Sequence, residues 1–391
     1  MRILHIVPTY LPAVRYGGPI YSVHALARET ARRGHQTEVF TTNVDGEGTS
    51  AVPVGVPISV EDVNVWYFPC SIGRRLYRSP AMGRALADRI LGFDVLHLHS
   101  VFLWPTLAAA RLAQKAAVPY VLSPRGMLVG DLIRRKSQWP KSAWINLFER
   151  KNIAAAAAIH VTSEVERTEF KKLGLRAQRL EVIANGIDLP DVEPGPAPRM
   201  EGRRIVLCLG RINWKKGLDR LIRAMVHVQD ADLVIAGNDE ENHRADLDQL
   251  VRELGLGGRV RFCDPVQGSE KWALIRSAAV FALASYSENF GIAVLEAMAC
   301  SVPVVVTPEV GLASAVHASG AGIVVEGDAE KLGAAITRVL AEPALQQTMG
   351  FAGHKVAREQ FAWDRIAKET EAMYQSILRR RHHAIVTDRA H

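Results

Sequence analysis

Short apolar runs rich in Val, Ile and Leu alternate along the chain with longer segments whose apolar residues recur every three or four positions, the pattern of strands followed by helices. The runs fall at 2–7, 37–41, 63–68, 95–99, 120–123 and 159–162 in the first half, then at 205–209, 233–236, 260–262, 280–283, 302–306 and 322–325 in the second. Alternation of that kind predicts an α/β chain with parallel sheets covered by helices. Residues 190–198, Pro-Asp-Val-Glu-Pro-Gly-Pro-Ala-Pro, form the Pro-dense stretch and read as a stiff linker between a domain at 1–189 and a domain at 199–363. A last helical pattern covers 364–380, and 381–391 reads as a basic, disordered tail.

At 391 residues and 48% hydrophobic content, the chain is long enough for two domains with separate cores. Cys70, Cys208, Cys263 and Cys300 sit beside apolar residues with no C-x-x-C spacing, which predicts reduced, mostly buried thiols and neither a disulfide framework nor a metal cluster. Arg2 is an early cation, but the apolar run behind it is broken by His5, Pro8 and Pro12, so it reads as a first strand and not a signal peptide. With no run of eighteen apolar residues, the expectation is a cytoplasmic protein, at most peripheral at the inner face of a membrane.

The net charge of +7 and pI of about 9.3 admit nucleic acid or an anionic surface as partner. Nothing resembles a nucleic-acid module, and Arg379-Arg380-Arg381-His382-His383 reads as a disordered basic end. Segment 134–151 interleaves cations with Trp139, Trp144, Leu147 and Phe148, which suits either contact with an anionic membrane or an aromatic stripe packed on its own domain. Asp230-Ala231-Asp232 and Asp246-Leu247-Asp248 read as solvated charges, so no metal is expected.

Two loops carry candidate chemistry. Ser285 to Gly291 follows the apolar run at 280–283 and precedes good helix formers, placing Glu288 in a loop and Glu296 in the first turns of a helix. A helix N-terminus offers N–H groups and positive dipole to phosphates, while ionised carboxylates accept hydrogen bonds from sugar hydroxyls. The pair therefore suits a nucleotide-sugar. Arg211 and Lys216, in Gly210 to Gly217, follow the run at 205–209 and fall at the carboxyl edge of a sheet, where open α/β sheets bind ligands. Cleaving a sugar–diphosphate bond builds negative charge on the leaving oxygen, which fixed cations stabilise. Gly17 and Gly18 allow backbone to approach phosphates without a Cβ in the way.

These residues carry a resemblance. Glu288 to Glu296 as E-x7-E, Arg211 with Lys216-Gly217, Tyr16-Gly17-Gly18-Pro19, the H-x-H end of Asp94 to His99 and the N-G-I-D segment at Asn185 to Asp188 resemble retaining glycosyltransferases of family 4, in order from Arg2 to about Tyr374. The resemblance implies a GT-B fold: two Rossmann-like domains facing each other across a cleft, the first binding acceptor, the second binding donor, and a C-terminal helix crossing back to the first. It implies a hexosyltransferase that moves a sugar from a UDP- or GDP-sugar to a lipid-linked or glycan acceptor in bacterial polysaccharide assembly, lipopolysaccharide or exopolysaccharide, needing no cofactor. The implied mechanism is front-face displacement with retention, in which the leaving phosphate takes the acceptor proton and no residue serves as general base.

By the same resemblance Glu288 with Asn289, Phe290 and Gly291 orients the sugar, Glu296 holds the ribose, and His99 lies near sugar and acceptor. His97 is assigned to the opposite face of its strand and a structural role. Arg125 stands where many relatives carry a histidine and is assigned to the acceptor side, and Asp264 replaces a family glycine near the base. An epimerase or phosphorylase of the same fold and a catalytically silent sugar-nucleotide binder are the alternatives. Turnover of donor without acceptor would mark an epimerase, and bound-cofactor absorbance a pyridoxal-dependent phosphorylase.

Overall fold

The computed structural model describes residues 1–14, 17–70, 73–130, 138–189, 203–240 and 242–388, with side chains throughout except at 138–140 and 383–388. The proline-rich linker at 190–198 and Arg134, Arg135 and Lys136 of the basic segment lie outside the described residues. The chain forms two compact units, Met1–Gly186 with Trp363–His391, and Ile187–Ala362.

The first unit is built on strands β1 (Arg2–Ile6), β2 (Gln36–Thr42), a short hairpin of β3 (Val44–Asp45) and β4 (Gly48–Thr49), then β5 (Pro57–Val60), β6 (Val63–Phe68), β7 (Val95–His99), β8 (Tyr120–Ser123), β9 (Ala158–Val161) and β10 (Leu180–Val182). Its sheet runs β10-β9-β8-β7-β1-β2-β6-β5, parallel except for β5 against β6. Because helices cover both faces, the central strands are apolar on both except at His5, His97 and His99, and Ile3, Leu4, Ile6, Val95, Leu96 and Leu98 are fully buried. The last helix, Trp363–Asp388, belongs to this unit: Trp363, Ile366, Met373, Tyr374 and Ile377 pack with Ile3, Leu26, Val95 and Val121. Arg33 ties the same helix down through Glu371 at 2.9 Å and Asp364 at 3.0 Å. The helix extends past the expected end at 380, since no Gly or Pro interrupts Arg379 to Asp388.

The second unit holds β11 (Arg204–Leu209), β12 (Ala231–Ala236), β13 (Val260–Cys263), β14 (Val280–Leu283), β15 (Val304–Val306) and β16 (Gly322–Val324) in the order β13-β12-β11-β14-β15-β16, all parallel. Both sheets thus reverse strand order beside their first strand, between β1 and β7 and between β11 and β14. In doubly wound sheets that switch point, at the carboxyl ends of the strands, is where ligands bind.

All twelve apolar runs are strands. The unexpected strands have weak signals: β5 is a half-exposed antiparallel edge that starts at Pro57, a position an edge tolerates, and β10 is three half-buried residues, too short to show a period. In segment 134–151 the described aromatics turn inward. Trp144 packs against the first unit's core, donates from Nε1 to Glu149 Oε1 at 2.9 Å and meets Phe148 edge-on at 4.9 Å between centroids, while Leu147 stays exposed. Of the four cysteines, all unbridged, Cys263 is exposed and the other three are buried.

Candidate functional site

The switch point of the second unit is assembled by close backbone approaches. Gly217, with φ of 59°, lies so near the end of β14 that a Cβ there would sit 2.0 Å from the Ala284 carbonyl oxygen. Gly311 is equally constrained, since its Cβ would sit 2.1 Å from the Asn289 oxygen. Only glycine satisfies both, and the loops at 210–217, 284–291 and 309–311 are thereby pressed together. Backbone bonds complete the arrangement: the Glu288 N–H donates to Glu309 O at 3.2 Å and the Gly311 N–H donates to Glu288 O at 2.9 Å.

Within this frame the Lys216 ammonium meets Glu288 Oε2 at 2.5 Å, both side chains less than a fifth exposed. Burial pushes the Glu288 carboxyl upward, but Lys216, Arg211 at longer range and the Phe290 N–H outweigh it and hold it below the ordinary carboxylate value. Gly291, with φ of 96°, then turns the chain into the helix Ile292–Ala299, which carries Glu296. Lys271, from the helix Gly268–Ser277, reaches Glu296 Oε1 at 2.6 Å. Here burial prevails over Lys271, and the Glu296 carboxyl is raised. Arg211 is directed elsewhere than expected for a partner of Lys216: it pairs with Glu240 at 2.8 Å, and Asn213 Nδ2 donates to the other oxygen of that carboxylate at 2.9 Å. Burial acts upward on Glu240 too, but Asn213 and Arg211 bring it down.

In the first unit the sequence candidates join a larger cluster. His97 and His99 have ring centroids 4.2 Å apart on one face of β7, which corrects the assignment of His97 to the opposite face: residues two apart in a strand share a face, and it is Leu98 that points away. His160 Nε2 faces the Ile183 carbonyl at 2.8 Å and must carry the proton, so His97 Nε2–H donates to His160 Nδ1 at 3.3 Å and His97 Nδ1 accepts from the Tyr374 hydroxyl at 2.6 Å. On the other side Arg125 donates to His99 Nδ1 at 3.4 Å, so His99 Nε2–H donates to His5 Nδ1 at 3.0 Å. His5 Nε2–H is left without a partner among the described residues.

Burial, with Arg125 nearby, holds all four rings neutral, pushing His5 and His160 down to about 3 and His97 and His99 well below their ordinary value. His5, His97 and His99 bring nitrogens within 4.8 Å of one another. A cation there would face the Arg125 guanidinium and would break the relay just described.

Arg125 itself adopts φ of 54°, a costly left-handed geometry for a side-chain-bearing residue, and gives its second branch to Asn185 Oδ1 at 2.7 Å. Burial lowers it to about 10, against the pull of Glu166 and Tyr374. Gly17, with φ of 71°, caps the helix Gly18–Arg32, and Tyr16 beside it lies outside the described residues. Of the Asp-x-Asp residues, Asp230 pairs with Arg204, Asp232 with Arg203 and Asp248 with Arg244, while Asp246 faces His243 at 3.8 Å.

Lys271, Glu240, His5, His160 and Tyr374 were not sequence candidates. A Lys-Trp pair inside an amphipathic pattern and isolated strand histidines carry no local signal, because their partners stand 23 to 277 residues away.

Two family models match the chain in succession, a glycosyl transferase 4-like domain over residues 17–186 and glycosyl transferases group 1 over residues 193–356. The chain is similar to the D-inositol 3-phosphate glycosyltransferase of Mycolicibacterium smegmatis, 30% identical over 330 residues that cover 80% of this chain and 75% of the relative. In structure it is similar to sucrose-phosphate synthase from Thermosynechococcus elongatus, with a TM-score of 0.78 at 21% identity, covering 96% of this chain and 99% of that one. It is also similar to HepE of Anabaena in complex with UDP-glucose, with a TM-score of 0.75 at 21% identity, covering 96% and 100%.

Proposed function

The chain belongs to the glycosyltransferases of the GT-B fold, with a 4-like first half and a group 1 second half, and from that premise we propose that it is a retaining enzyme transferring a hexose from a UDP- or GDP-sugar to a lipid-linked or glycan acceptor in polysaccharide assembly. The observation that carries this reading is the pair of lysine-held carboxylates at the second switch point, Glu288 with Lys216 and Glu296 with Lys271. A carboxylate already fixed by a cation keeps lone pairs for ligand hydroxyls in a set direction, and the lysine keeps N–H groups for phosphate oxygens.

In this mechanism Lys216 and Arg211 stabilise the leaving diphosphate, aided by the helix N-terminus behind Gly291. Glu288 and the main chain of Asn289, Phe290 and Gly291 orient the sugar, and Glu296 holds the ribose. The bond from the anomeric carbon to the diphosphate oxygen breaks, the acceptor oxygen bonds to that carbon on the same face, and the acceptor proton passes to the leaving phosphate. No protein base and no metal enter this scheme.

His99 and Arg125 serve the acceptor side. Arg125 favours a phosphate-bearing acceptor, because its hydrogen-bond partners, His99 and Asn185, are both neutral and, among the described residues, Glu166 acts on the cation without pairing with it. The M. smegmatis relative, named for a phosphorylated inositol, agrees with that choice. Thermal stabilisation by a panel of UDP-, GDP- and ADP-sugars, followed by transfer assays with the stabilising donor, tests the reading. One donor should raise the melting temperature and yield a product of retained configuration. Stabilisation by none, or an inverted product, overturns it.

A further inference from the structure

The amino edge of the first sheet, opposite the edge that carries the histidine cluster, holds a cavity of about 480 Å³. Pro119 before β8, Ala157 before β9 and Arg179 before β10 border it, and Ile377, Arg380 and Arg381 of the last helix close it. Its size lies within the range of small-molecule pockets. Val118, Pro119, Ala157 and Ile377 give it an apolar wall, while its charged residues are arginines and, among the described residues, no carboxylate lines it.

The helix itself explains that excess charge. Further back, Lys368 pairs with Asp364 and Arg365 with Glu369, each four residues apart. Arg380 and Arg381 have no such option: three and four residues away on either side stand Ser376, Ile377, Leu378, His383, Ala384 and Ile385, none of them acidic. Ile377, Arg380 and Arg381, at i, i+3 and i+4, share one helix face, and the two arginines have no hydrogen bond or ion pair among the described residues. Arg179 is already committed, to Glu181 and to Ser376 Oγ at 2.7 Å.

We infer that this cavity is a second binding site, distinct from the donor and acceptor machinery, for an anionic amphiphile whose phosphate is held by Arg380 and Arg381 and whose apolar body lies against Ile377, Val118 and Pro119. Arginine's planar fork suits phosphate, and an apolar wall beside it selects for a ligand with both parts. The basic run Arg379 to His383 thereby acquires a role in place of the disordered end expected of it. The inference does not depend on which sugar or acceptor the enzyme uses. A phosphate of this description can come from a membrane lipid or from a free phosphomonoester.

Calorimetric titration of the full chain with dihexanoylphosphatidic acid, below its micellar concentration, and separately with glycerol 3-phosphate tests the site. Saturable binding of the lipid alone assigns the source to a membrane. Equal binding of both would leave the apolar wall without a role and overturns the amphiphile. Arg380→Ala with Arg381→Ala should weaken lipid binding at least tenfold, and Gln178→Trp, which narrows the mouth without removing charge, should weaken it at least as much. No saturable binding of either probe to wild type, or wild-type affinity in both variants with melting temperatures unchanged, overturns the proposal.

Discussion

Lys216→Met removes the ammonium that meets Glu288 while keeping the stem that packs under Gly210. In the proposed reaction the substitution deletes one fixed donor to the leaving group, which costs about 3–4 kcal/mol in the barrier, or roughly 10²- to 10³-fold in turnover. It also leaves a carboxylate that is only 18% exposed facing its site without its cation, which costs about 3 kcal/mol of folding stability. In a unit of this size that corresponds to roughly 6–12 °C in melting temperature. The pH dependence separates this cause from a packing defect. In the wild type Glu288 lies below its ordinary 4.5, so the pair's contribution is fully present above about pH 4.5 and is lost as pH falls through the lowered value.

Without Lys216, burial, the largest influence on Glu288, acts upward and only Arg211 and the Phe290 N–H oppose it. The folded value then rises above the unfolded one, and the contribution reverses: present below about pH 4.5, lost as pH rises through the raised value. Melting curves from about pH 4 to pH 8 should therefore show a gap between wild type and variant that widens with pH, and adding Glu288→Gln should flatten it. A gap independent of pH, together with turnover within tenfold of wild type, would refute the reasoning.

Gly217→Ala forces a Cβ onto the Ala284 oxygen at a φ of 59° and should lower stability in urea by at least about 2 kcal/mol, whereas Gly255→Ala, also at positive φ but with no neighbour within 4 Å, should cost about 1 kcal/mol. Turnover should survive excess EDTA; complete loss restored by Mn²⁺ or Mg²⁺ would contradict the proposed metal-free scheme. Trp144→Ala should destabilise the first unit by about 2–3 kcal/mol in thermal melts, because it removes core packing and the bond to Glu149, whose carboxyl burial already raises. Serine at Arg134, Arg135, Lys136 and Lys141 should leave that melting temperature unchanged while weakening sedimentation with anionic vesicles if the segment meets a membrane, and wild-type sedimentation would remove the membrane contact from the functional reading.

The strand pattern was readable because the central strands of both sheets are parallel and covered on two sides, so each is a mostly apolar run, interrupted in β1 and β7 only by the histidines. The edge strand at Pro57 and the three residues at Leu180 lack that double burial and escaped notice. In the site, Glu288 and Glu296 stood out because one helix start fixes both, and Gly210 to Gly217 because a strand end fixes Arg211 and Lys216. Their partners Lys271 and Glu240 could not be read, since Glu270-Lys271-Trp272 and Asp239-Glu240 look like ordinary solvated charge until the fold brings them within 3 Å. Assigning His97 to the wrong face misapplied a periodicity of two. The histidine relay as a whole depends on β1 lying beside β7, on β9 standing one strand further across β8, and on a tyrosine from the last helix, which no local pattern announces.

The chain leaves the first unit at Gly186 and re-enters it at Trp363, and a Cβ on Gly186 would meet the Trp363 ring at 2.4 Å. Ile187 and Ala362, the two ends of the second unit, are bridged to each other in the same way. The second unit is thus an insertion with its termini together, able to close as soon as it is made. The first unit cannot, because Ile3, Leu26 and Val95 await Trp363, Met373 and Ile377, and His97 awaits Tyr374. At about 5–20 residues per second, the roughly 190 residues between Gly186 and Ile377 occupy the ribosome for about 10–40 s. The half of the protein that is synthesised first is therefore the half that finishes folding last, and through that interval its exposed core is the part of the nascent chain in need of a chaperone.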